Sequence, residues 1–232
     1  MSNLDGLSNL KSRDAFTMHV HTYAKVLEKV ASRYAPSRLL SFDEVHVFMA
    51  LQLIHAHGHA SRTALQKELA LGSGAVRTIV KHMKMNGLIQ TSNGGTKMTA
   101  KGRGIWGGLA ASMPAEMPMP RSSISLGRYN YAVLLRDLGF AIKSGIEQRD
   151  AAIRIGGTGA TTLLCGDGGF FMQDSREDPL KKEGGLKKEL LEKLRPADGD
   201  AVIIGGADSG KAAELAAKSA ALATIMAHEK HA

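Results

Sequence analysis

Residues 111–120 read Ala-Ser-Met-Pro-Ala-Glu-Met-Pro-Met-Pro and hold three of the chain's six prolines. A proline fixes φ and carries no backbone N–H, so neither a helix interior nor a central strand can run through such a segment. The chain divides here. The predicted organisation is an N-terminal helix within residues 1–40, a domain at 41–112, a Pro/Met linker at 113–121 and a second domain at 122–232. With 232 residues, 44% hydrophobic and 22% charged, both sides are long enough to bury a core, and disorder as the main state is excluded.

The net charge of +8 is unevenly placed. Between residues 58 and 104, Arg62, Lys67, Arg77, Lys81, Lys84, Lys97, Lys101 and Arg103 stand against Glu68 alone. Residues 129–228 are nearly balanced, with thirteen basic side chains to fourteen acidic ones. One region suits a polyanion and the other does not. The Ala-rich stretch at 212–227 is interrupted by Glu214 and Lys218, so no membrane span is expected, and the N-terminus lacks the basic and apolar runs of a secretory signal. A cytoplasmic protein is the expectation. The single cysteine, Cys165, closes no intrachain disulfide.

Upstream of the prolines, Phe16, Val20, Tyr23, Leu27, Val30 and Tyr34 recur in steps of three and four within a helix at 12–34. Two readings stay open: a coiled-coil seam that joins two copies, or an amphipathic helix packed on its own domain. A second helix starts at Ser41, where Ser41-Phe42-Asp43-Glu44 fits a capping box, and ends at Gly58. Ser61 caps a shorter helix to about residue 70. Ser73 then caps a third that runs to Asn86 and stops at Gly87. Residues 88–92 and 96–99 flank Asn93-Gly94-Gly95 and predict a hairpin, after which Thr99 caps a closing helix.

Downstream, strands are expected at 122–126 and 129–136, a helix at 140–155, a hairpin of 161–165 with 170–173, a helix at 187–194, a strand at 201–205 and a final helix at 211–227. The fold class expected is α+β, with the second domain a small sandwich of order ββαββαβα.

On a helix that turns about 100° per residue, Val76, Ile79, Val80 and Met83 share one face, while Arg77, Lys81 and Lys84 line another with Thr78 beside them. A cationic helix backed by a shorter one can enter the major groove of duplex DNA, where Arg, Lys, Ser and Thr reach phosphates and base edges. Lys97, Lys101 and Arg103 would meet phosphate beside the groove, with Arg62 and Ser73 near the two helix starts. Taken singly, each is more simply a solvated charge; the combination is not. Residues 41–110 resemble the winged helix-turn-helix of MarR-type and related prokaryotic regulators. The likeness rests on Ser61-Arg62-Thr63-Ala64-Leu65, Gly72-Ser73-Gly74-Ala75-Val76-Arg77, Met85-Asn86-Gly87-Leu88-Ile89 and Met98-Thr99-Ala100-Lys101-Gly102. Met98-Thr99 stands where such proteins more often have Leu-Thr. The whole chain resembles an archaeal family of proposed transcriptional regulators, in which a winged helix precedes a C-terminal domain of unknown function. That resemblance implies a DNA-binding half and an α+β half with an undefined ligand.

Other motifs are weaker. Gly205-Gly206-Ala207-Asp208-Ser209-Gly210-Lys211 has the spacing of a phosphate loop, but Ala212 replaces the hydroxyl residue that holds Mg²⁺. Nucleotide hydrolysis is rejected, and Ser209 and Lys211 remain as an anion site against the plainer reading of a tight strand-to-helix turn. Gly156-Gly157-Thr158-Gly159 reads as a helix stop and Gly166-Asp167-Gly168-Gly169 as a hairpin turn. Arg149, among Glu147, Asp150 and Arg154, lines an effector pocket or, more plainly, a solvated helix face. His55, His57 and His59 are badly spaced for a metal, and Cys165 reads as inert core, so no metal, cofactor or catalytic group is expected.

The function expected is a sequence-specific DNA-binding transcriptional regulator, not an enzyme. Its partners are double-stranded DNA, a second copy of the chain as a homodimer, and a small-molecule effector. The alternative is a small-molecule-binding protein or enzyme whose winged helix is a protein or RNA contact module.

Overall fold

The computed structural model describes residues 20–32, 40–173, 175 and 177–227. Among them are eight helices and two antiparallel sheets, a mixed α+β architecture. The chain divides into two compact units, with the boundary after Ala110, close to the predicted cut.

The N-terminal unit opens with α1, residues 20–31, whose Ala24, Leu27 and Val30 are buried. Tyr23 packs on Gly108, and the Val30 carbonyl lies 2.9 Å from His82 Nδ1, so the described part of the predicted seam is buried within its own chain. Phe16 and Tyr34 lie outside the described residues.

Next come α2 (Glu44–His57), α3 (Arg62–Leu69) and α4 (Ser73–Met85). The cap of α2 is Asp43 rather than Ser41, and His46 replaces the expected Glu44 as the reciprocal partner: its Nδ1 accepts the Asp43 N–H at 3.0 Å. Gly58 ends the helix at φ 71°, a left-handed conformation that glycine adopts without strain. Ser61 caps α3 as predicted, its hydroxyl accepting from the Ala64 N–H at 3.0 Å. The cap of α4 is Gly72, which shifts Ser73 into the first turn.

A hairpin of β1 (Ile89–Ser92) and β2 (Gly95–Met98) follows, turned at Asn93-Gly94. Thr96 exchanges both backbone hydrogen bonds with Ala60, which ties the hairpin to the entry of α3. Gly95 sits at φ 107°, where a Cβ would stand only 3.0 Å from the Ala60 carbonyl oxygen. Helix α5 (Ala100–Ser112) is capped by Thr99, whose Oγ1 accepts from the Gly102 N–H at 3.1 Å.

The C-terminal unit is a five-stranded sheet of β3 (Glu116–Met119), β4 (Tyr129–Leu135), β5 (Gly159–Gly166), β6 (Gly169–Phe171) and β7 (Ala201–Ala207). Its strand order is β3-β4-β7-β5-β6, every pairing antiparallel. Helices α6 (Ile146–Arg154) and α8 (Gly210–Ala227) pack on one face. The other face, with Met117, Leu134, Leu163 and Ile204, is closed by Leu180 and by Leu190 and Leu194 of α7 (Gly184–Leu194).

The order ββαββαβα holds, but its first strand lies elsewhere. Residues 113–121 are not a free linker, because Glu116–Met119 forms β3. The strand survives its proline because it is an edge: Met117 and Met119 turn into the core, and Pro118 points outward. Residues 122–126 form a turn, closed by Ser122 N–H to Ser125 Oγ at 2.9 Å. The expected helix at 140–155 is a single 3₁₀ turn at Gly139–Ala141 and then α6, interrupted by Gly145 at φ 74°. Asp167 and Gly168 both have positive φ, the two-residue hairpin turn expected there.

Candidate nucleic-acid interface

Helix α4 is two-faced in space as in sequence. Val76, Ile79, Val80 and Met83 are buried, and Arg77, Lys81 and Lys84 are exposed. Ser73 is exposed one turn before Arg77, and at about 100° per residue the four side chains fall within one stripe roughly 80° wide. The core face is anchored by His82, which sequence reasoning passed over. It is buried, contacts the Val30 carbonyl and stands edge-on to Phe42 with ring centroids 5.7 Å apart. These contacts limit rotation of α4 about its axis and so hold the stripe outward. The overlooked signal was a histidine at the interval of the apolar residues, three positions after Ile79.

The stripe is electrostatically unspent. Arg62, Arg77, Lys81, Lys84 and Lys97 have no ion pair or hydrogen-bond partner among the described residues. Thr78, half-buried, donates its hydroxyl to the Gly74 carbonyl at 3.0 Å, which leaves only its acceptor capacity for a ligand. A shallow cavity of about 380 Å³ lies between the start of α3 and the hairpin turn, lined by Ser61, Arg62, Asn93 and Gly94 among others.

Two predicted contacts are otherwise engaged. Lys101 Nζ donates to the Asn86 carbonyl at 2.9 Å, neutralising the C-terminus of α4. Arg103 Nη1 donates to the Met98 carbonyl at 3.1 Å, at the end of β2. Both reach from α5 to the two neighbouring elements and serve the scaffold. Spacing could show that they follow the hairpin, but not that their nearest acceptors are backbone carbonyls.

Residues 126–225 match the family model described as a domain of unknown function, DUF4443. Among solved structures, the chain is similar to hypothetical protein PH0730 from Pyrococcus horikoshii OT3. Identity is 23% and the TM-score 0.60, with 80% of this chain and 94% of that chain covered. That likeness is one of fold. No curated protein matches the chain. The family match lies within the C-terminal unit, so the resemblance of residues 41–110 to DNA-binding regulators rests on the motifs of those residues.

In the C-terminal unit, the Gly-rich run before α8 is not a loop. Gly205 and Gly206 lie inside β7, where a side chain at Gly205 would collide with the backbone of Ala217 on α8. Ser209 Oγ accepts from the Ala212 N–H at 3.2 Å, and Lys211 Nζ donates to Glu214 Oε2 at 2.7 Å. Both are occupied within the helix, and the plainer reading of a tight connection describes them. Arg149 is exposed and pairs with adjacent Asp150 at 3.0 Å, while also lining a cavity at the start of α6.

Cys165 is buried near the end of β5, and burial together with the Asp200 carboxylate pushes its thiol up to about 12, which leaves it protonated and unreactive. His55 stacks on Trp106, ring centroids 5.3 Å apart. Among the described residues, no three His, Cys, Asp or Glu side chains gather into a group that could hold a metal. No helix there is long and apolar enough to cross a membrane.

The C-terminal unit also contains a charged cluster that no motif announced. Lys218 on α8 is fully buried, 2.6 Å from Glu214 Oε1 and 3.0 Å from Glu116 Oε1 on β3. Tyr131 donates its hydroxyl to the same Glu116 oxygen at 3.1 Å. The available signal was a lone lysine within an alanine run.

Proposed function

We propose that this chain is a sequence-specific DNA-binding transcriptional regulator whose residues 41–112 form a winged helix-turn-helix. In this reading α4 enters the major groove and the β1–β2 hairpin is the wing that meets the flanking backbone. The observation that carries it is the exposed stripe of Ser73, Arg77, Lys81 and Lys84, whose three cations have no partner among the described residues. Arg77 and Lys81 reach guanine acceptors or phosphate, Ser73 accepts or donates at base edges, Thr78 accepts there, and Lys84, Lys97 and Arg62 hold phosphates. Lys101 and Arg103, bonded to the carbonyls of Asn86 and Met98, position α4 and the wing instead.

One winged helix makes few contacts, and a homodimer on two half-sites multiplies them. Because Ala24, Leu27 and Val30 of α1 are already buried, the dimer contact is assigned to the C-terminal unit, which also senses an effector. The family resemblance supports an archaeal regulator that acts in the cytoplasm.

Fluorescence anisotropy of a labelled duplex, titrated against salt, tests the reading. Affinity is expected to fall steeply and linearly on a log–log plot, and Arg77→Ala or Lys81→Ala to weaken binding and reduce the slope by about one each. Selection from a random duplex library is expected to return a two-fold symmetric motif. A flat salt response, or variants that bind as the parent does, would overturn the proposal.

A further inference from the structure

A cavity of about 240 Å³ opens where α6 begins, between that helix, β5 and the residues after β6. Its lining mixes two chemistries: Ile142, Leu164 and Met172 supply apolar surface, and Ser144, Arg149 and Thr162 supply polar groups.

Three features of the polar lining favour a negative charge. The N-cap of α6 is Gly145, which has no side chain to bond the first turn; Ser144 Oγ accepts from the Ile146 N–H at 3.4 Å, and the N–H groups that follow point out of the helix end with the positive end of its dipole. Arg149, one turn later, is held among the described residues only by the half-exposed carboxylate of its neighbour Asp150, a pairing that solvent screens heavily. Thr162 Oγ1 is buried with no hydrogen-bond partner among the described residues, close beneath Gly145, where a Cβ would stand 3.7 Å from it. A hydroxyl in that condition costs free energy unless something supplies its bond, and a rotation about χ1 re-aims it.

The opposing charges set the limit. Glu147 shares the first turn of α6 and Asp150 holds Arg149, so a dianion meets more repulsion than a monoanion. The apolar lining rewards a ligand with a hydrophobic body. We infer that this cavity binds a small organic monocarboxylate, its head at the first turn of α6 beside Arg149 and Thr162 and its apolar body against Ile142, Leu164 and Met172. The assignment deepens the effector-sensing half of the proposed function, and its test uses no DNA, so either can fail without the other.

The full chain, labelled with nitrogen-15, is titrated with sodium benzoate, with neutral benzamide and with inorganic phosphate, and followed by amide shifts. Benzoate is expected to give saturable shifts centred on Glu147, Gln148 and Thr162, with benzamide and phosphate at least tenfold weaker. Arg149→Gln, at an exposed position, and Thr162→Val, nearly equal in shape, are each expected to weaken benzoate at least fivefold while keeping the parent spectrum elsewhere. Scattered or non-saturating shifts with benzoate overturn the inference. So does benzamide or phosphate binding as well as benzoate, or unchanged benzoate affinity in Arg149→Gln.

Discussion

Lys218 is wholly buried and held between two carboxylates on different elements, Glu214 one turn away on α8 and Glu116 on the edge strand β3. Burial alone would raise the Glu214 carboxyl, but Lys218 and Lys211 outweigh it and hold the group below its ordinary value. A buried ion pair adds little net stability when formed, because both charges lose water, but removing one partner strands the other. Lys218→Met is therefore expected to destabilise the C-terminal unit by about 3–5 kcal/mol. The double variant Lys218→Met with Glu116→Gln should recover part of that loss. Urea unfolding of both variants, followed by far-ultraviolet circular dichroism, checks this. The sequence showed Lys218 only as a charge that breaks an apolar run, because the partner that turns it inward, Glu116, lies about a hundred positions away in the chain.

Helix α5 shows how the same residue type carries opposite meanings within thirteen positions. Gly102 lies against the Leu88 carbonyl and Gly108 against the Tyr23 ring, and at both a Cβ would overlap its neighbour. Gly104 and Gly107 have nothing near a Cβ. Alanine at an open helical site removes the entropy cost of glycine and gains up to about 1 kcal/mol. Alanine at a crowded site forces shifts that cost roughly 1–3 kcal/mol. Gly104→Ala and Gly107→Ala are thus expected to raise the urea midpoint, and Gly102→Ala and Gly108→Ala to lower it, with Trp106 fluorescence as the readout. Caps and stops were readable at this scale, because each involves residues within a few positions: Ser61, Gly58, Thr99 and Gly87 stand where their neighbours demanded. The exceptions, Asp43 for Ser41 and Gly72 for Ser73, are displacements of one or two residues among equally competent caps.

The two units answer acid at different pH values. In the N-terminal unit, burial holds His46 below its ordinary 6.5 despite the nearby Asp43, and the neutral ring is the form that accepts the Asp43 N–H. The unfolded chain thus takes up the proton first. The stability this group contributes is full above about pH 6.5 and is lost as pH falls toward the folded-state value. In the C-terminal unit the lowered groups are Asp178, Glu183 and Glu214, whose ordinary values are 3.8 to 4.5. Burial by itself would raise Asp178, but the Lys187 ammonium and the Leu180 N–H overcome it, and Ser123 donates to Glu183. Their contribution is complete above about 4.5 and is lost only below it. Trp106 is the sole tryptophan and belongs to the N-terminal unit, so its fluorescence reports that unit alone. Between pH 6.5 and 5 the Trp106 urea midpoint is expected to fall while the dichroism change of the C-terminal unit holds, and His46→Gln, which keeps a side-chain acceptor, should flatten the fluorescence response. The amino-acid order determined by itself where the chain divides, which helix faces are apolar, where turns fall and where cations concentrate, because periodicity, caps and proline act between near neighbours. Only the tertiary structure decided that a proline-bearing segment becomes the edge strand β3, that β4 pairs with β7, that Lys218 is interior and that Lys101 and Arg103 serve their own backbone. Each of those outcomes depends on a partner distant in the chain, whose free energy exists only once both are brought together.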